Sequence, residues 1–543
     1  MNQEKKRYYV WLPIIMAGCL SLGLLIGALF LSKFVGNEND VYSKLHTIMG
    51  YIEDEYVDEV NTDSLLENAM PDILSQLDPH TTYIPAADLQ SVNEELQGSF
   101  SGIGISFNML TDTITVLEVI SGGPSEKVGI LPGDRIITIN DTIALGQNWT
   151  QEKVLKTLRG KKGTEVNLGI KRNNSAELLP FTVTRGDIPV TSIDACYLID
   201  KGTGYLKINK FGRTTFNEFL NSMVELREAG ANKFVIDLRG NGGGYMEPAL
   251  LMANEFLNAG DLIVSTKGRK ADMNSEVHAD GTGSFRNDGL TVLLDEFSAS
   301  ASEIFAGAIQ DNDRGVIVGR RSFGKGLVQN QIDLPDESAI RLTVARYYTP
   351  SGRCIQKSYT LGQTDTYLNE IAERYNHGEG FSADSIHVDK SQIFQTVGGR
   401  TVYGGGGIIP DIYIPNDTAG ISPYYISVFN AGLLQKFAFN YTDKNRSRLI
   451  KAKDSKQLTS LLPNSDALLQ EFVEYARKEA RIAPRWYYIN ISRDLIVSQL
   501  KALIARDILG TSAYYEVINQ TDPSVLRAVK EAETDSGLLK SSR

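Results

Sequence analysis

A chain of 543 residues, 42% hydrophobic and 22% charged, is too long for one compact domain and apolar enough for real cores, so about two to four domains are expected. Its net charge of −11, with no long basic run after the first few residues, argues against nucleic acid as a partner. The three cysteines, Cys19, Cys196 and Cys354, form no C-x-x-C pair, and His46, His80, His278, His377 and His387 have no metal-motif spacing, so no metal or other cofactor is expected.

In chain order, Val10 to Leu31 runs without a charge and is long enough to span a bilayer as a helix. Lys5, Lys6 and Arg7 precede it, and Glu38 and Asp40 follow. The positive-inside rule therefore predicts a cytoplasmic segment over 1–9, a transmembrane helix over 10–32 and the bulk of the chain on the periplasmic or extracellular side of the cytoplasmic membrane. A cleaved signal peptide stays open as an alternative, although its apolar core is ordinarily shorter. So does a lipoprotein site at Met16-Ala17-Gly18-Cys19, although the apolar run continues past Cys19. Residues 40–92 read as helical, with Val41, Leu45, Ile48, Ile52 and Tyr56 at helical spacing. Leu77-Asp78-Pro79-His80 and Pro85 break that pattern, and His80 reads as a structural turn residue.

From Gly98 the texture changes to glycine punctuation and β-branched strands: Ser101-Gly102-Ile103-Gly104-Ile105, then Thr113 to Val116, then Pro132-Gly133-Asp134-Arg135-Ile136-Ile137. A short helix over Thr150 to Leu158 and a strand over Gly163 to Arg172 follow. This order resembles a PDZ domain of the bacterial protease type, over residues 93–190. The resemblance implies that the turn Gly102, Ile103, Gly104, Ile105 offers backbone amides to a peptide's C-terminal carboxylate. The peptide would then add as a strand beside Ile103 to Phe107, against the helix bearing Val154 and Leu158.

Residues 191–420 alternate strands and helices, which predicts an α/β fold with a largely parallel sheet. Lys233 to Leu238 is a buried-type strand ending in Arg239-Gly240-Asn241-Gly242-Gly243-Gly244, and Leu290 to Leu294 is another, running into Ser298-Ala299-Ser300-Ala301-Ser302-Glu303. Both loops follow strands, where such folds place ligands. Ser300 is predicted at a strand-to-helix turn, with the Ala301 amide free at the helix start as an oxyanion donor. A second donor is expected from the Gly242 to Gly244 loop, where glycine lets the backbone approach a carbonyl. Lys325, in Phe323-Gly324-Lys325-Gly326, reads as a general base that burial must hold neutral, and Gln329 is placed to hydrogen-bond and aim its amine. Separately, a serine before a helix is ordinarily an N-cap and a Gly-Lys-Gly turn is ordinarily solvated.

Taken together, these elements resemble the C-terminal processing peptidases, or tail-specific proteases. Tyr347-Tyr348-Thr349-Pro350-Ser351-Gly352-Arg353 and Gly404 to Gly407 followed by Ile408-Ile409-Pro410-Asp411 also fit. The resemblance implies a ClpP/crotonase-like serine protease core with an inserted PDZ domain. It implies Ser300 as nucleophile, Lys325 as base, Gln329 as orienter, and Ala301 and Gly243 as oxyanion amides. The substrates implied are proteins or peptides with apolar C-termini, and no metal is required. Thr366 to Val397 departs from the family pattern as a polar insert. Residues 421–543 are a further, helical extension, with stripes Leu468, Leu469, Phe472, Val473, Ala476 and Leu495, Ile496, Leu500, Leu503, Ile504. Docking on the core, homo-oligomerisation and partner binding all remain open for this extension. A binding protein on the same fold is one rival reading, which predicts a missing nucleophile or base; a catalytically silent PDZ adaptor is another, which predicts peptide binding that survives Lys325→Ala and no turnover in any form.

Overall fold

The computed structural model describes residues 13–27, 41–111, 113–146, 149–172 and 177–533. They fall into two units, Met1–Gln76 and Leu77–Arg543. In the first unit, residues 13–27 are helical, followed by α1 (Val41–Glu55) and α2 (Thr62–Ser75), the latter capped by Asn61, whose side chain accepts from the Ser64 amide at 2.9 Å. Of the expected transmembrane span 10–32, residues 10–12 and 28–32 lie outside the described residues, as does the segment 1–9. No helix among the described residues is long and apolar enough to cross a membrane.

The second unit opens with β1 (Thr82–Ile84) and α3 (Ala86–Gln97), then β2 (Ser99–Gly102), which leads into a small, mainly β lobe. That lobe contains β3 (Ile105–Thr111), β4 (Thr113–Val119), β5 (Arg135–Ile139), α4 (Gln151–Leu158), β6 (Glu165–Lys171) and β7 (Leu179–Thr184), with β3 at the sheet edge. Thr150 caps α4 by accepting from the Lys153 amide at 3.2 Å. The chain leaves through β8 (Gly186–Pro189), antiparallel to β2, so the lobe hangs on a two-stranded stalk.

The main sheet runs in the order β9 (Ile193–Asp200), β10 (Thr203–Ile208), β11 (Lys233–Asp237), β12 (Gly289–Leu294), β13 (Val316–Gly319) and β14 (Ile412–Tyr413). Only β9–β10 is antiparallel, and Leu206, Ile236, Val292 and Ile317 stand in register across the parallel strands. Near-continuous burial along β10 to β13 is what a parallel sheet covered on both faces requires. On one face lie α5 (Thr215–Glu228), α6 (Met246–Asn254) and α7 (Ala301–Asp311), in a core with Phe219, Phe256 and Phe305. A second, antiparallel sheet holds β15 (Leu327–Asp333) against β16 (Ala339–Tyr348).

The C-terminal extension has its own apolar core, in which Leu468, Phe472, Ile496 and Leu500 are fully buried. Its last helix, α8 (Pro523–Glu533), docks on the other face of the main sheet, placing Val525, Ala528 and Ala532 against Tyr205, Val235, Leu293 and Val318. Asp522 caps that helix and pairs with Arg239 at 2.8 Å, while Arg239 also grips the buried Asp237. Docking on the core, one of the three roles left open, is therefore realised. The extension also touches the β lobe, where Asp443 pairs with Arg135 at 2.7 Å.

Candidate functional site

Ser300 connects β12 to α7 at φ 56°, ψ −113°, a conformation a non-glycine residue adopts at a cost of about 1–3 kcal/mol. The neighbourhood over-determines this turn. The Ser300 amide donates to Glu303 Oε2 at 2.8 Å, and the Ser300 carbonyl accepts from the amides of Glu303 and Ile304 at 2.8 and 2.9 Å and from Tyr347 Oη at 3.2 Å. The Asn241 carbonyl holds the Ala299 amide at 3.0 Å and Ser302 Oγ at 2.9 Å, which ties the turn to the glycine loop. The Ala301 amide, first of the helix, has no partner among the described residues, as an oxyanion donor requires.

The Gly243 amide, expected as the second donor, is occupied by Asn241 Oδ1 at 2.9 Å. Asn241 is wholly buried and directs its amide oxygen back into its own loop, so in this structure Gly243 is not free to donate. Gly243 instead supplies closeness: at φ 98°, an added Cβ would lie 2.8 Å from Ser300 Cβ and 3.0 Å from the Ala301 nitrogen. The neighbouring amides of Gly242 and Gly244 have no partner among the described residues.

Lys325 enters from the loop before β15. Its Nζ donates to Gln329 Oε1 at 2.9 Å, and Gln329 in turn donates to the His80 carbonyl. A register shift between Val328 and Gln329 re-aims the glutamine out of simple strand alternation. Burial pushes the Lys325 ammonium below its ordinary value and the Arg341 guanidinium adds to this, while Glu303 and Asp78 oppose it. The Ser300 and Lys325 side chains line one cleft of about 610 Å³, together with Gly243, Gln329 and Arg341. No hydrogen bond joins Ser300 Oγ to Lys325 Nζ among the described residues.

The residue that sequence reasoning missed is Glu303. Wholly buried, it accepts from the Ser300 and Lys325 amides through Oε2 and from Ser322 Oγ and the Gly324 amide through Oε1, so one carboxyl joins the nucleophile turn to the lysine loop. Burial pushes it up to about 7, against the pull of these donors. The insert also reaches this region. Polar in composition, it forms the helix Thr364–Asn376, whose buried Arg374 donates to the carbonyls of Ser322 and Phe323 at 2.8 and 3.1 Å. Its Tyr367 hydroxyl meets His80 Nε2 at 2.8 Å. His80 thus has the structural role expected, and burial, with Lys325 and Lys357 nearby, holds its imidazole down to about 4.

In the β lobe, the Ile103 and Gly104 amides have no partner among the described residues, and β3, which begins at Ile105, is an edge strand open to addition. Gly102 is paired with Gly186. Val154 and Leu158, expected to line the peptide groove, are 0% and 4% exposed and pack into the lobe's core with Ile103, Ile114 and Val166. Helical periodicity identified their shared apolar stripe, but that stripe faces inward here.

The chain is similar in sequence to known proteins. Residues 202–365 match the model of peptidase family S41, residues 101–183 that of the PDZ domain, and residues 424–510 a family of unknown function. A carboxy-terminal-processing protease of Bartonella bacilliformis is 35% identical over 327 residues, 59% of this chain and 74% of that protein. The carboxy-terminal processing protease CtpA of Bacillus subtilis is 31% identical over 377 residues, 68% of this chain and 79% of that one. Among solved structures, a photosystem II D1 C-terminal processing protease is similar at 24% identity and a TM-score of 0.33, covering 68% of this chain and 91% of that one. The molecule is thus a serine-type peptidase, a hydrolase, with a PDZ domain set into a mixed α/β chain. It belongs to the carboxy-terminal-processing proteases of family S41.

Proposed function

We propose that this protein is a serine endopeptidase that cleaves exported proteins at or near their C-termini, with Ser300 as nucleophile and Lys325 as general base on a ClpP/crotonase-like core. The observation that carries this reading is the shared cleft: a strained serine, a half-buried lysine held by Gln329, and an unpaired Ala301 amide. Neutral Lys325 takes the Ser300 proton as Oγ attacks the scissile carbonyl. The resulting oxyanion is held by Ala301 N–H and by an amide of the Gly242–Gly244 loop. The protonated lysine then returns its proton to the leaving amine, and water hydrolyses the acyl-enzyme by the same route. Ser300 Oγ and Lys325 Nζ are not hydrogen-bonded here, so they must close on each other before attack, while Gln329 Oε1 takes one Nζ hydrogen and leaves the lone pair for the serine.

The PDZ domain captures an apolar tail along β3, with the Ile103 and Gly104 amides toward its carboxylate. The segment 10–32 anchors the chain in the cytoplasmic membrane with its bulk outside. Incubation of the full chain and of its Ser300→Ala and Lys325→Ala forms with an unfolded protein ending in apolar residues tests the catalytic reading. Cleavage by the parent alone is expected. Turnover that survives in Ser300→Ala sinks the assignment. Peptide binding without turnover in any form favours the PDZ adaptor instead.

A further inference from the structure

The cleft contains a cation that the dyad reading does not use. Arg341 projects from β16 into the same cleft as Ser300 and Lys325, at the register position opposite Thr82 on one neighbouring strand and Gln331 on the other. Other arginines of the core are ion-paired: Arg353 holds Asp311 at 2.7 Å, Arg374 holds Glu370 at 2.6 Å, and Arg321 and Arg400 hold Glu379 and Asp313. The Arg341 guanidinium has neither an ion pair nor a side-chain hydrogen bond among the described residues, although it stands close enough to Lys325 to depress its proton affinity. A guanidinium kept partly out of water with no partner is a standing electrostatic cost unless an anion meets it. The anion whose planar geometry matches its fork is a carboxylate.

We propose that Arg341 is a carboxylate-binding subsite inside the catalytic cleft, which seats an anionic end of the substrate on the far side of the scissile bond from the captured body. This deepens, and rests on, the reading of the cleft as the active site. Two sources supply such a group: the substrate's own α-carboxylate, or an Asp or Glu side chain near the cut. The first implies that the cut falls a short, fixed number of residues from the chain end. This carboxylate receptor would be separate from the one on the PDZ domain and would act on the residues being cut.

The test uses the full chain with three fluorogenic peptides of eight small and apolar residues: one with a free C-terminal acid, one amidated, and one amidated with an Asp near its end. The parent should cleave one or both of the anionic peptides with kcat/KM about tenfold or more above the neutral amide, the range a charge-assisted bond supplies. The ratio should fall to near one in Arg341→Gln and to an intermediate value in Arg341→Lys, which keeps charge but loses the fork. A ratio cancels any change in Lys325, because all peptides meet the same base. No preference in the parent, or a preference undiminished in Arg341→Gln, overturns the proposal, and the latter would return the selectivity to the PDZ domain. Lys325→Ala is the separate control: turnover surviving there defeats the dyad. Binding of the same acid and amide peptides to Ser300→Ala, with and without Arg341→Gln, then decides Arg341 by affinity alone.

Discussion

Arg353 ends the motif Tyr347 to Arg353, and its surroundings make its replacement informative. The side chain is 0% exposed, donates to Gln310 Oε1 and Asp311 Oδ1 at 2.7 Å each and to the Tyr403 carbonyl at 3.0 Å, and lies away from the cleft. Arg353→Met preserves much of the volume, so the cavity cost is small. What remains is a buried Asp311 carboxylate that keeps only the Ser351 amide at 3.2 Å. Stranding one partner of a buried pair costs about 3–5 kcal/mol. Urea unfolding followed by tryptophan fluorescence should register that loss, and Asp311→Asn added to Arg353→Met should recover part of it, because the stranded charge is gone. At low urea the folded fraction of Arg353→Met should keep its kcat. A stability loss under about 1 kcal/mol together with a large fall in kcat would refute this reasoning and move Arg353 into the catalytic machinery.

The remaining expectations follow from the same contacts. Because burial and Arg341 both lower the Lys325 pKa, kcat/KM should rise with pH on a limb centred below the ordinary lysine value, and Arg341→Gln should move that limb upward; a limb at or above 10.5 in the parent would remove Lys325 as the base. His80, held at about 4 in the folded state against 6.5 unfolded, contributes stability that is fully present above pH 6.5 and is lost as pH falls toward 4, by up to about 3 kcal/mol; His80→Gln should flatten that fall in pH-dependent urea midpoints. Gly243→Ala forces a Cβ to 2.8 Å from Ser300 Cβ at a positive φ, so kcat should drop by about tenfold or more while peptide binding to the PDZ domain stays intact. Glu303→Gln turns an NH₂ toward the loop amides of Gly324 or Lys325, and kcat should fall with KM little changed.

Ser300 and Lys325 were legible because each sits in a short run whose glycines or small residues imply a tight turn, and Gln329 because it stands four residues after Lys325. The parallel order of β10 to β13 followed from alternating apolar strands and helices. Glu303 was not legible as a hub, since its four donors come from positions 300, 322, 324 and 325, and only folding brings Ser322 to Lys325 onto the helix start. The contacts of the insert were not legible for a related reason: Tyr367 and Arg374 are polar letters whose atoms are buried against Lys357, His80 and the carbonyls of Ser322 and Phe323. For Val154 and Leu158 the stripe was readable but its direction was not, because periodicity does not say whether an apolar stripe meets a ligand or a core.

The docking of α8 has a consequence for when the enzyme comes into being. The strand that carries the glycine loop has its outer face covered by residues 525–532, and the Arg239 that follows it is clasped by Asp522. Synthesis runs from the N-terminus, so every catalytic loop is made well before the segment that seals the sheet beneath them. Until that segment docks, Tyr205, Val235, Leu293 and Val318 present an apolar surface to water. A nascent chain therefore holds the loops of the cleft with an unfinished platform under them, and maturation of the sheet waits on residues 522–533.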